Sequence, residues 1–395
     1  MFKRILFKKI IKYSEHKNAL IITGMRQVGK TTLLKQIYQK IKSPKFWFDL
    51  ENPLDAKVFE ELDYNNIYKT LFKLTKAKEK QRIYIFIDEI QNYPEITKVI
   101  KYLIDNYRVK FFLTGSSNFY LKNLFPESLS GRKFIFQLNP LSFQEYLYWH
   151  NKIDTIDSKS TGLSQIQKSQ NEFEAEKFKL DYQDYLSFGG FPEVVLTDDI
   201  ETKKQILKNI FSSFFEKDLK ILADYKDVKE LRDLILLLAP RIGSQLDITK
   251  IASELNVSRP KVYAYLEFLS GVFFIKLLPK YSKSIDRSVA GGKKIYFSDT
   301  GILQIISSVN NGQLLENAVV NQLSSYGDLS FYNYRNSQEI DLILNKKISL
   351  EIKISGGDYD KYSLKKISKK LDIKDYYIIS QKFKDDKNFI SPLFL

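Results

Sequence analysis

The stretch Gly24-Met25-Arg26-Gln27-Val28-Gly29-Lys30-Thr31 constrains this chain more than any other. It fits G-x-x-x-x-G-K-[ST] and lies between a strand pattern and a helix pattern. The apolar run Asn18–Thr23 ends at Gly24, and the helical pattern T-T-L-L-K-Q-I-Y-Q-K follows Lys30. Glycines let the backbone curl until successive N–H groups point at a phosphate. The helix that begins there adds the positive end of its dipole. The spacing predicts a nucleotide site built by Gly24, Arg26, Gln27, Val28, Gly29, Lys30, Thr31 and Thr32. Lys30 reaches the β- and γ-phosphates of ATP, and the Thr31 hydroxyl serves Mg²⁺.

Three more strand patterns follow. They are Lys45–Leu50 (K-F-W-F-D-L), Arg82–Ile87 (R-I-Y-I-F-I) and Lys110–Thr114 (K-F-F-L-T), with helical patterns between them. Nearly continuous apolar strands alternating with helices indicate an α/β fold with a parallel sheet covered on both faces. The second of these strands delivers Asp88 and Glu89 at its C-terminal end. Asp88 can hold the Mg²⁺ shell, and Glu89 can act as general base on the attacking water. The third ends in Thr114-Gly115-Ser116-Ser117, where a hydroxyl, Ser116 first, can sense the γ-phosphate or orient water. Ordinary turn chemistry explains the two serines as well.

The 395 residues suggest two or three domains, and 44% hydrophobic residues suffice for real cores. The absence of cysteine excludes a disulfide-stapled scaffold. Apolar runs are too short for a membrane span, and lysines interrupt the basic start M-F-K-R-I-L-F-K-K-I-I-K-Y. That start reads as an amphipathic helix rather than a signal peptide, so the expected location is cytoplasmic, without a membrane partner. The net charge of +15 favours a polyanion such as nucleic acid. Lysine-rich usage beside abundant Ile, Asn, Tyr and Phe also fits plain base composition.

Asn151–Glu176 is polar without apolar periodicity and reads as a loop or insertion. Helical patterns dominate from Phe178 to Leu269. Within them Ile248–Leu255, Asn256-Val257-Ser258 and Arg259–Leu269 read as helix, turn, helix, with Ser258 as N-cap and Pro260 in the first turn. Val262, Leu266 and Leu269 form the apolar stripe, while Arg259, Lys261 and Tyr263 fall off it as candidate DNA contacts. The strands Phe273–Leu278 and Lys293–Phe297 would be a wing, with Lys280, Lys283, Arg287, Lys293 and Lys294 as phosphate contacts. A lid or interaction module fits the same pattern.

The tail from Leu314 reads helix, strand, hairpin, strand, helix, strand. Asp341 precedes a turn at Asn345-Lys346-Lys347, and Glu351-x-Lys353 follows it. Glu351 and Lys353 lie two apart on a strand and share a face, with Asp341 on the paired strand. This is the constellation of PD-(D/E)xK restriction-endonuclease-like folds. There Asp341 and Glu351 could hold Mg²⁺ while Lys353 steadies water, with Glu316 entering from a helix. A half-exposed structural hairpin shows similar alternation.

The chain resembles the AAA-type ATPases of bacteria and archaea that carry a C-terminal domain of unknown function. The matching stretches are I-T-G-M-R-Q-V-G-K-T-T-L-L, D-L-E-N-P, F-I-D-E-I-Q, L-T-G-S-S-N, L-S-G-R, P-L-S-F-Q-E-Y and G-G-F-P-E-V-V. The resemblance implies an ASCE-type core with the Thr114 strand between the P-loop strand and the Asp88 strand. It suggests Arg132, in Ser130-Gly131-Arg132, as a candidate arginine finger, which such ATPases often take from a neighbouring subunit and which would then require a homo-oligomer; a structural salt bridge explains Arg132 as well. It also supports the winged helix and the restriction-endonuclease-like fold. Lys217-Asp218 stands where the family pattern leads one to expect Arg-Asp, which puts a sensor role for Lys217 in doubt.

The resulting division is an ATPase core over 1–150, an insertion and helical lid over 151–235, a winged helix over 236–300 and a nuclease-like domain over 301–395. Three functions fit: a DNA-coupled ATPase, an ATP-gated nuclease using Asp341, Glu351 and Lys353, and a nucleotide-dependent switch that binds a protein partner.

Overall fold

The computed structural model describes residues 3–115, 129, 131–156, 162–218, 225–282, 284, 291–334 and 338–395. The chain divides into two compact units, Met1–Asn139 with Gly271–Phe273, and Pro140–Ser270 with Phe274–Leu395.

In the first unit, β1 (Ala19–Thr23), β2 (Lys45–Asp49), β3 (Tyr84–Asp88), β4 (Lys110–Gly115) and β5 (Lys133–Gln137) form one parallel sheet, ordered β2-β3-β4-β1-β5. The Thr114 strand therefore lies between the P-loop strand and the Asp88 strand. Every residue of β1, β3 and β4 is buried, as expected of central strands covered on both faces. On one side Ile21, Ile85, Ile87 and Leu113 pack with Ile67 and Leu71 of the Tyr64–Thr75 helix. Ile96, Ile100 and Leu103 of the Ile96–Tyr107 helix join the same core. Each such side chain contributes roughly 1.5–3 kcal/mol on burial. The register pairs Ile22 with Thr114 and Asp49 with Asp88, so the polar strand ends gather at one edge of the sheet.

Lys110 is the exception within this core. It is fully buried, and its Nζ donates to the carbonyls of Tyr13, His16 and Asn18 at 3.0, 2.7 and 2.7 Å. These bonds tie the segment before β1 to the base of the sheet. Burial, reinforced by the Arg82 charge, pushes its ammonium down to about 7.

The second unit is mostly helical up to the two-stranded antiparallel hairpin of β6 (Ile275–Pro279) and β7 (Lys293–Phe297). Within the polar stretch read as a loop, helices form over Leu163–Ser169 and Glu172–Lys177. The signal lies in capping rather than in apolar period, since the Asn171 side chain accepts the Glu174 N–H. Helices Ile248–Leu255 and Arg259–Gly271 form with the Asn256-Val257-Ser258 turn between them, as the sequence predicts.

The G-G-F-P motif has a structural cause here. The buried Asp299 carboxylate accepts the N–H groups of Gly190 and Ile302, at 2.8 and 3.0 Å. A Cβ on Gly189, whose φ is +76°, would run into that carboxylate, and one on Gly190 would meet the Leu141 carbonyl. Burial pushes Asp299 up to about 6 despite these amide donors.

The chain ends in a mixed sheet ordered β12-β11-β10-β9-β8. Its strands are β8 (Leu329–Tyr334), β9 (Gln338–Leu344), β10 (Ile348–Lys353), β11 (Asp375–Ser380) and β12 (Phe389–Ile390). Asn345 and Lys346 take left-handed φ values of 52° and 58°, which close the β9–β10 hairpin with the twist its strands need. The Asp358–Lys370 helix buries Leu364 and Ile367 against Ile340, Ile343 and Ile378 of that sheet.

Candidate functional site

The loop after β1 is wound by left-handed residues. Gly24 has φ 149°, Gln27 61° and Gly29 92°. A Cβ on Gly24 would meet the Leu138 carbonyl, so only glycine fits there. The Lys30–Lys40 helix starts directly after Gly29. Lys30 is buried, and its Nζ donates to the carbonyls of Gly24 and Met25 at 3.1 and 2.8 Å. The ammonium thus sits in the mouth of the loop, where phosphate oxygens are the natural competing acceptors.

Arg4 is a residue that sequence reasoning missed. It is buried just before the Ile5–Ile11 helix, and its guanidinium donates to the carbonyls of Val28 (2.8 Å) and Asn139 (2.7 Å). This fork holds the back of the loop. Only the unusual position of an arginine at the head of an amphipathic helix hinted at it.

Beside the loop, Asp88 is buried and accepts hydrogen bonds from the hydroxyls of Thr114 and Thr31. Burial raises its carboxyl above the usual range, and the two hydroxyls work in the opposite direction. Thr114 also accepts the Glu89 N–H at 3.0 Å. Glu89 itself adopts φ 54°, a left-handed conformation costing roughly 1–2 kcal/mol for a residue with a Cβ. That twist re-aims the carboxylate, which the Gln91 amide engages. Strand ends thus bring Lys30, Thr31, Asp88, Glu89 and Thr114 together. Thr31 and Asp88, a hydroxyl and a carboxylate in direct contact, are a donor pair that suits Mg²⁺. Ser116, Ser117 and Ser130 lie outside the described residues.

Arg132 stands elsewhere. Its carbonyl accepts the Ala19 N–H, so it lies at the start of β5, at the end of the sheet opposite the loop. The five residues of β1 put about 16 Å between the two ends. Its Nε donates to Asp105 at 2.7 Å, which raises its already high pKa. Arg132 therefore cannot serve the nucleotide of its own chain.

The second constellation also assembles. Glu316 accepts the Tyr296 hydroxyl at 2.6 Å, Asp341 accepts the Ile352 N–H at 2.8 Å, and Lys353 pairs with Glu351 at 2.8 Å. At its centre stands Lys294, which the sequence reading placed on the wing surface. It is buried, with Nζ 2.6 Å from Glu339 and 3.9 Å from Glu316. Lys293, the first residue of β7, is exposed, whereas Lys294 and the rest of the strand are buried. Burial, ahead of like-charge repulsion from Asp341, pushes Glu316 and Glu351 up to about 7. Asp341 also rises, for burial first, against the pull of Lys294.

Among the described residues no group of three or more His, Cys, Asp or Glu is disposed to hold a metal ion. The buried Lys294 ammonium stands with Glu316 and Glu339, so it already supplies positive charge beside these acids.

A prediction follows for Lys294→Met. Removing the cation leaves buried carboxylates unpaired, so urea unfolding at about pH 8 should show a loss of about 3 kcal/mol. Glu316 and Glu351 keep protons up to about pH 7 in the folded state but lose them near 4.5 when unfolded. Their contribution is therefore full below the unfolded value and lost as pH rises toward 7. The variant's deficit should shrink at about pH 5, where the acids are protonated. An equal deficit at both pH values would show that Lys294 acts through packing alone.

On the other candidate helix, Arg259 and Tyr263 are exposed. Lys261 is engaged by Asp227 and Glu230 at 2.7 and 2.6 Å, and Tyr265 donates to the same two acids. Lys283 and Arg287 lie outside the described residues.

The family model described as AAA domain matches residues 16–147, the stretch that holds the loop, Asp88, Glu89 and Thr114. This stretch is similar to an AAA domain. A second model, a domain of unknown function (DUF8612), matches residues 179–313. The chain is 28% identical over 367 residues to the uncharacterized protein MJ1544 of Methanocaldococcus jannaschii, covering 90% of this chain and 77% of that protein. It is 26% identical to an uncharacterized protein of Haemophilus influenzae, over 86% and 82% of the two chains. Among solved structures, the Walker-type ATPase PABY2304 of Pyrococcus abyssi superposes with TM-score 0.49 at 14% identity, over 78% of this chain and 96% of that one. The AAA domain carries no membrane-crossing helix, nor does any other described part of the chain.

Proposed function

We propose that the AAA domain binds ATP with Mg²⁺ and hydrolyses it. The observation that carries this reading is the contact of Thr31 and Thr114 with buried Asp88, directly beside the loop mouth that holds Lys30. The backbone N–H groups of the loop and the helix start bind the phosphates. Lys30 exchanges the carbonyls of Gly24 and Met25 for β- and γ-phosphate oxygens. Thr31 and Asp88 would hold Mg²⁺, which when bound would supply charge neutralisation at the transferring phosphoryl group. Glu89 takes the proton of the attacking water, and Thr114 fixes Glu89 through its N–H. Arg132 can act only on the nucleotide of a neighbouring copy, which requires an oligomer.

Calorimetry of ATP binding with and without Mg²⁺, in the natural chain and in Thr31→Ala, tests the metal assignment. Mg²⁺ should tighten binding in the natural chain and bring less gain in the variant. An equal gain in both would remove Thr31 from the site.

A second reading, that hydrolysis is coupled to nucleic acid, is favoured by the net charge of +15. Metal-dependent cleavage is not part of this proposal, because the buried Lys294 ammonium, 2.6 Å from Glu339 and 3.9 Å from Glu316, already supplies positive charge beside these acids.

A further inference from the structure

The Asp358–Lys370 helix turns one face inward and leaves the other unusually furnished. Leu364, Ile367 and Ser368 are buried against the sheet. Tyr359, Tyr362, Lys366 and Lys369 recur at three- and four-residue spacing, so they form one continuous stripe. Lys365 and Lys370 flank it. Tyr359 is 82% exposed and Tyr362 67% exposed. Two aromatic rings standing in water beside lysines are a feature that packing does not explain.

The charges around this stripe separate cleanly into committed and available ones. Lys361 is paired with Asp386 at 2.7 Å, and Lys370 donates to Gln338 at 3.3 Å. Asp358, the acid nearest the tyrosine end, is held by Lys384 at 2.8 Å. Asp360 is turned to its own helix start, where it accepts the Gly357 N–H. Lys365, Lys366 and Lys369 form no ion pair among the described residues. The stripe therefore offers cations and exposed rings together.

We propose that this stripe binds single-stranded nucleic acid, with the lysines on successive phosphates and each tyrosine ring as a platform for an unpaired base. Stacking on an aromatic ring tolerates any base, and lysine contacts follow any backbone. A membrane surface fits less well. An interfacial helix needs a free apolar face, whereas here Leu364 and Ile367 are already buried against the protein. The proposal rests on the nucleic-acid reading above and is independent of ATP hydrolysis.

Fluorescence anisotropy of the full chain with a short labelled oligo(dT), at low salt and over a salt series, tests it. Tyr359→Ala with Tyr362→Ala should weaken binding about tenfold or more, and the double Trp variant should retain it. Lys366→Gln with Lys369→Gln should reduce the slope of log affinity against log salt by about 1.4, at about 0.7 per phosphate. Lys69→Gln with Lys73→Gln, on an exposed face of the other unit, carries the same charge loss and should change little.

If Arg259→Gln with Tyr263→Ala abolishes binding while the stripe variants do not, the stripe is wrong and the nucleic-acid reading stands. Absence of binding to any oligonucleotide by the natural chain, or binding to anionic vesicles alone, overturns both. An equal loss in the Lys69 and Lys73 pair also overturns the stripe, because it means diffuse charge.

Discussion

Replacing Lys30 with alanine is expected to lower ATP turnover by at least about 100-fold, because the site loses its charged donor to the phosphoryl oxygens. Affinity for the nucleotide should fall as well, by roughly tenfold or more, as expected for a hydrogen bond to a charged group. The structure explains why so large an effect should come without unfolding. Lys30 bonds the Gly24 and Met25 carbonyls at the end of the sheet, and the loop is fixed from behind by Arg4 through Val28 and Asn139. The variant should therefore melt close to the natural chain. Turnover within a few-fold of the natural rate in a folded Lys30→Ala protein would refute the role given to Lys30.

Glu89→Gln should separate binding from chemistry. The amide keeps the size of the side chain and leaves the main-chain bond to Thr114 in place, so nucleotide affinity should change little. It cannot take a proton from water, and turnover should fall about 100- to 10,000-fold. Asp88 is the useful contrast. It is buried and engaged by two hydroxyls, so its neutralisation should weaken the Mg²⁺ dependence of binding rather than proton transfer alone. Two adjacent carboxylates on one strand end thus have different surroundings. One faces the threonines, and the other is swung away by a left-handed backbone.

Much of this site was legible in the sequence because its chemistry needs fixed residue types at fixed places on the chain. The loop, the carboxylates at a strand end and the neighbouring Thr114 are set by local spacing. The strand order followed from the resemblance to a known family and agrees with the sheet observed. What the sequence could not show depends on side-chain direction and distant pairing. Lys293 and Lys294 are neighbours of one type, yet the first is exposed and the second is buried against Glu339. Lys261 lies off the apolar stripe of its helix, yet Asp227 and Glu230, more than thirty residues earlier, claim its charge. Arg4 reaches across to a loop it precedes by some twenty residues, and no local pattern announces that. The glycine pair at 189 and 190 read as a family signature, while its physical cause, the Asp299 carboxylate, lies far along the chain.

Arg132 shows how topology narrows a role. Its motif marks it as a cation of interest, but parallel pairing puts the start of β5 and the end of β1 at opposite ends of the strands. A guanidinium there, bonded to Asp105, would reach a nucleotide only if a second copy brought one to it.

The most direct test of the account is phosphate release from ATP by the natural chain, measured with Mg²⁺ and with Mg²⁺ chelated, beside Glu89→Gln under the same conditions. Turnover should require Mg²⁺ and disappear in Glu89→Gln while that variant still binds nucleotide. Turnover that survives chelation, or that Glu89→Gln sustains at the natural rate, would contradict it.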